Sequence, residues 1–93
     1  MGVDFEWNEE KDRANQRKHC ISFAFATAVF EDGDRTERED TDSPDDEMRW
    51  CTTGLIDGIE LYVVYTARGE AIRLISARRA SRNEREKYWN REI

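Results

Sequence analysis

Six cations crowd residues 71–89, AIRLISARRASRNEREKYW: Arg73, Arg78, Arg79, Arg82, Arg85 and Lys87. The stretch opens with the alternating, apolar pattern of a strand and closes with the polarity of a surface helix. Guanidinium groups at a strand end and on the adjoining sheet face suit bidentate capture of an anion such as phosphate. Alternation sets Arg73 opposite Ile72 and Leu74, facing away from whichever surface those two bury. A charge among Ile72, Leu74 and Ile75 needs a reason to be there, and an anionic ligand would be one. Arg78 is expected at the rim of this face, because Arg79 to Ser81 must turn into the final helix. Arg82 and Arg85 are explained adequately as solvated partners of the acidic stretch Asp40 to Glu47. Arg49, between Met48 and Trp50, either extends the positive face from a neighbouring strand or pairs across strands with Glu60 or Glu47.

His19 is the one imidazole of the chain. It falls at the end of an expected helix, where the dipole favours its protonated form and the last carbonyls offer it a capping role. Cys20 and Cys51 lie far apart, with no CxxC spacing and too few histidines to complete a zinc site, so both are expected as reduced thiols. No metal or other cofactor is expected.

Charge is segregated along the chain. Fifteen Lys and Arg against 21 Asp and Glu give a formal net charge of -6. Yet residues 31–47 hold ten acidic residues against Arg35 and Arg38, while residues 68–93 hold eight basic residues against four acidic ones. This excludes a histone-like surface that binds nucleic acid everywhere, but leaves room for one basic face that captures an anion. Met1 leads straight into charged sequence, and no run approaches the length of a membrane span, so a cytoplasmic protein is expected. Ninety-three residues suffice for one core, and a single domain over 1–93 is expected.

The elements that must position these groups follow from local signals. Asn8 caps a helix from about Glu9 to Lys18, with acids in its first turn and bases in its last. Ser22 caps a second helix with Phe23, Ala26 and Phe30 on one stripe, stopped by Asp32-Gly33. RTERED, residues 35–40, alternates weakly, and TDSPDDE, residues 41–47, is a solvated loop. MRWCTTGLI, ELYVVYTA and AIRLISA read as three strands in a meander, with turns at Asp57-Gly58 and Arg68-Gly69. Ser81 and Glu84 form a capping box that opens a last helix to about Asn90, anchored by Tyr88, Trp89 and Ile93. Tyr88 is read chiefly as the residue that docks this helix.

FEWNEEKDRANQRKH, followed by SFAFATAVFED, then Glu47 and Arg49 as E-x-R, Gly54, and RLISARRASRNEREKY, together resemble the BrnT-type toxins of bacterial type II toxin-antitoxin systems across nearly the whole chain. The resemblance implies an α+β, RelE-like fold, with two N-terminal helices packed on a small, mostly antiparallel sheet and a C-terminal helix. It implies a ribonuclease that arrests growth by cutting RNA without a metal. It also implies a BrnA-type ribbon-helix-helix antitoxin, in a two-plus-two complex that binds operator DNA through the antitoxin. Lys18 and His19 match the family's K-H pair. Carried over, the catalytic set is Lys18, His19, Arg49, Arg73 and Arg78, with Arg68, Arg79, Arg82 and Tyr88 as RNA contacts. Cys20 stands where the family has Gly; if that position is a left-handed helix cap, Cys costs about 1 kcal/mol. The rival reading is a non-catalytic module that binds RNA or protein through the same basic face.

Overall fold

The computed structural model describes residues 3–41 and 47–90. The chain runs β1 (Asp4–Glu6), α1 (Glu9–His19), α2 (Phe23–Ala26) continued by a 3-10 turn (Thr27–Glu31), β2 (Thr36–Asp40), β3 (Arg49–Ile56), β4 (Ile59–Arg68), β5 (Ala71–Arg79) and α3 (Arg82–Trp89). The sheet order is β1-β5-β4-β3-β2. β1 pairs with β5 in parallel, and the other three pairings are antiparallel. The fold class is therefore α+β with a mixed sheet, and the short segment ahead of α1 is its fifth strand. Most of the expected acidic loop, residues 42–46, and the expected helix anchor Ile93 lie outside the described residues.

Local chemistry accounts for the helix ends. Asn8 Oδ1 accepts from Lys11 N–H at 3.0 Å, and Ser22 Oγ accepts from Phe25 N–H at 3.0 Å. α1 closes on Cys20 at φ 60° and ψ 29°, the left-handed conformation whose cost the Gly-to-Cys exchange raises. Asp12 of α1 then accepts the Phe23 N–H at 2.9 Å, tying the start of α2 to α1. In the second helical stretch Phe23, Ala26 and Val29 are fully buried, while Phe30 is only half-buried against Phe5 and Tyr65. The expected stripe had Phe30 at that place. The shift has a geometric cause: beyond Ala26 the chain tightens to 3-10 geometry, in which residues three apart eclipse, so the turn after Ala26 presents Val29.

The core lies between these helices and one face of the sheet, which contributes Ile56, Leu61, Val63, Leu74 and Ala77. Gly54 lets the 3-10 turn approach this face, since a Cβ there would meet Val29 Cγ2 at 2.3 Å. Asp57 and Gly58, both at positive φ, make the tight turn between β3 and β4.

A β-bulge decides which residues reach which face. Val64 pairs with Ser76 but Tyr65 pairs with Leu74, leaving Ile75 as an extra residue in β5. Without that insertion Leu74 and Ala77 would point to opposite sides, because side chains alternate with period two. With it both enter the core, and Arg73 and Arg78 share the outer face. Arg78 is thus not at a rim beyond the strand. β5 runs on to Arg79, and only Ala80 and Ser81 make the turn into α3.

Candidate active site

The outer face of the sheet gathers much of the basic charge. Along β5 it presents Arg73 and Arg78; β4 adds Tyr62 and Arg68, and β2 adds Arg38. The pairings align Arg78 with Tyr62, Tyr62 with Thr53, and Thr53 with Thr36, a row crossing four strands. Arg38 falls in the adjacent row, opposite Cys51.

Three arginines of this face, Arg68, Arg73 and Arg78, are each held by a carboxylate. Arg73 Nη1 lies 2.8 Å from Glu6 Oε2 on the parallel strand, with the arginine side chain 27% exposed. Arg78 donates from both terminal nitrogens to Glu84, at 2.9 Å each, in the bidentate geometry that suits a planar fork. Its guanidinium also sits 4.2 Å from the centroid of the Tyr62 ring. The Glu84 bonds outweigh desolvation and raise the Arg78 pKa further. Burial pushes Glu84 upward, but Arg78 and the Ser81 N–H outweigh it, so this carboxyl ends below its usual value. Arg68 pairs with Glu47 at 3.1 Å. Arg49 opens β3 in register with Asp40 and is half-buried. Of its two expected partners, Glu60 accepts the Trp89 indole N–H at 2.8 Å.

The remaining expected site residues divide between two other places. Lys18 and His19 line a shallow depression with Ile75 and Ser76, at the edge of β5 where the bulge lies. His19 also borders a second depression with Arg79, Cys20 and Phe25 on the helix side of the sheet. Arg79 pairs with Leu61 and so points away from the face that carries Arg78. Arg82, its side chain 87% exposed, reaches along α3 to Glu86 at 3.2 Å. Tyr88 is 2% exposed and donates to Asp32 Oδ2 at 2.5 Å, which leaves almost none of its ring for an RNA contact. Asp32 also accepts the Leu55 N–H at 2.9 Å, so Tyr88 docks α3 onto β3.

A cleft of about 260 Å³, not expected from the sequence, lies between α3 and the outer face, lined by Arg38, Thr53, Tyr62, Asn83, Glu84 and Lys87 among others. Tyr62 was hidden in an apolar run. The signal for Arg38 was present in the alternation of Thr36, Arg38 and Asp40, which sets all three on one face.

A family model described as the ribonuclease toxin BrnT of type II toxin-antitoxin systems matches residues 7–84. The chain belongs to this family. The match spans Lys18, His19, Arg49, Arg73 and Arg78, and also Arg38 and Tyr62, but stops short of Lys87 and Tyr88. As a BrnT-family member the chain takes RNA as its target and a protein antitoxin as its partner. No curated protein matches the chain significantly. No helix among the described residues is long and apolar enough to cross a membrane.

Proposed function

We propose that this BrnT-family chain is a metal-independent endoribonuclease with a RelE-like fold over residues 1–93, and that it acts in the cytoplasm to arrest growth. The observation that carries this reading is the shared outer face of Arg73 and Arg78, held by Glu6 and Glu84 beside the Lys18-His19 edge of the same strand.

RNA supplies its own nucleophile. Attack by a 2′-hydroxyl on the adjacent phosphorus forms a five-coordinate phosphorane, and expulsion of the 5′-oxygen leaves a 2′,3′-cyclic phosphate. The protein must then take one proton, return another to the leaving oxygen, and hold the charge that builds on the phosphorane. Guanidinium groups fixed by carboxylates meet the last need, because their orientation is set before the charge develops. Arg73 and Arg78 take that role, with Arg49 two strands away on β3. His19 offers an imidazole for proton transfer, and Lys18 beside it supplies positive charge. Arg68 serves RNA binding; Arg79 and Arg82 are more peripheral contacts, and Tyr88 serves as an anchor for α3.

The partner in this reading is a BrnA-type antitoxin with a ribbon-helix-helix DNA-binding part. Because such a part is dimeric, each arm would carry one toxin in a two-plus-two complex that binds operator DNA. Incubating chelator-treated protein with RNA and analysing the new ends tests the activity. Cyclic or 3′-phosphate ends support it, and RNA that is bound but never cut leaves the non-catalytic module instead.

A further inference from the structure

In the cleft beneath α3, Arg38 and Lys87 face each other, and among the described residues neither makes an ion pair. Arg73, Arg78 and Arg68 each have an acidic partner between 2.8 and 3.1 Å away. Arg38 enters the cleft from β2 and, among the described residues, bonds neutral oxygens, the Tyr62 hydroxyl at 2.9 Å and the Glu39 carbonyl at 3.5 Å. Lys87 enters from the opposite wall on α3, and among the described residues it makes no ion pair.

The two acids that line the cleft are committed elsewhere. Glu84 is taken up by Arg78 and the Ser81 N–H, and Glu37 by the Tyr65 hydroxyl and Arg35. Thr53 and Asn83 add neutral donors to the lining. We propose that this cleft binds a backbone phosphate of the RNA strand, clamped between Arg38 and Lys87; the proposal rests on the ribonuclease reading and assigns it a second anchoring point.

Size and continuity support this ligand class. A volume of about 260 Å³ equals the space of roughly eight or nine waters, enough for a phosphate with part of its nucleotide and too little for a duplex. Tyr62 joins the cleft to the strand arginines, since the ring that carries Arg78 also bears the hydroxyl that accepts from Arg38. Tyr62 is a positioning residue here. Its phenol is pushed up to about 12, chiefly by burial, and so stays neutral at working pH. A strand crossing this face would set one phosphate near Arg78 and another in the cleft.

The test is binding of a short fluorescent 2′-O-methyl RNA, which lacks the hydroxyl that cleavage needs, measured by anisotropy across a salt series. Arg38→Ala and Lys87→Ala should each weaken binding about fivefold at low salt. Each should also flatten the log–log salt slope by about 0.7, the share of one phosphate contact on a single strand. Arg17→Ala, which removes a solvated cation from α1, should leave both quantities unchanged. Lys87 is exposed on α3, so its variant keeps the test open if Arg38→Ala disturbs β2. If Lys87→Ala matches Arg17→Ala while the wild-type protein still cuts unmethylated RNA, the cleft proposal is overturned and the ribonuclease reading stands. If the wild-type protein neither binds nor cuts RNA, that reading falls and the proposal falls with it.

Discussion

The side-chain amide of Asn15 in α1 bonds both backbone groups of Ala77 in β5, donating to its carbonyl at 2.8 Å and accepting from its N–H at 3.2 Å. β1 covers β5 only from Ala71 to Arg73, so the edge beyond needs another partner, and Asn15 acts as one residue of a missing strand. The same amide donates to Ile21 O at 2.8 Å, and the side chain is buried. Asn15→Ala should leave these backbone groups unsatisfied at a cost of about 2 to 4 kcal/mol. Thermal unfolding should report a Tm lower by on the order of 10 °C or more. An unchanged Tm would mean that water replaces the amide without cost.

Gly54 is a second position where the backbone leaves no freedom. Its absent Cβ would overlap Val29 Cγ2, so Gly54→Ala should push the 3-10 turn off β3 and cost about 1 to 3 kcal/mol in denaturant unfolding. Combining it with Val29→Ala should recover part of that loss. Strictly additive effects in the double-mutant cycle would show that the two residues do not meet.

Cys20 occupies a left-handed cap that favours glycine. Cys20→Gly should therefore raise stability by up to about 1 kcal/mol, read as a higher midpoint in denaturant with the slope unchanged. A lower midpoint would mean that the added freedom of glycine in the unfolded chain outweighs the relief of the cap.

The elements were largely legible because each carries its own punctuation. Asn8, Ser22 and Ser81 cap helices as their side chains dictate, and Asp57-Gly58 turns the hairpin. What escaped was anything set by tertiary registry. The bulge at Ile75 has no local signature, yet it moves Arg78 onto the face of Arg73. Asn15 carries no local sign of its role, because its two partners lie on the distant Ala77 and beyond the helix end at Ile21. The carboxylate partners of the strand arginines escaped for the same reason: Glu6 is 67 positions from Arg73.

Stability should fall at both ends of the pH scale through groups of the α3 cleft. Glu84 has a folded pKa below its ordinary 4.5, so its contribution is present above that value and is lost as pH falls through the folded value. Tyr62 is raised from 10.0 to about 12, so its contribution is present below pH 10 and is lost as pH rises toward 12. Glu84→Gln should flatten the acid limb of a stability-versus-pH curve, and Tyr62→Phe the alkaline limb. An acid limb that keeps its full slope in Glu84→Gln would assign that loss to other carboxylates.

Arg73 and Glu6 separate catalysis from architecture. Their ion pair joins β1 to β5, and both side chains keep partial contact with water, so breaking it should cost about 1 kcal/mol or less. Arg73→Ala should nevertheless lower the cleavage rate about 100- to 1,000-fold, the typical loss of a preorganised donor that acts on developing charge. Glu6→Gln removes the same ion pair but leaves the guanidinium in place. It should lose a similar small amount of stability and an intermediate share of activity, about 10-fold, since Arg73 still faces the substrate but Glu6 no longer fixes its orientation. Measuring single-turnover cleavage beside Tm for both variants decides the matter. Equal loss of activity in both would mean that the strand pairing, and not the guanidinium, is what the reaction requires, and the active site would have to move off β5.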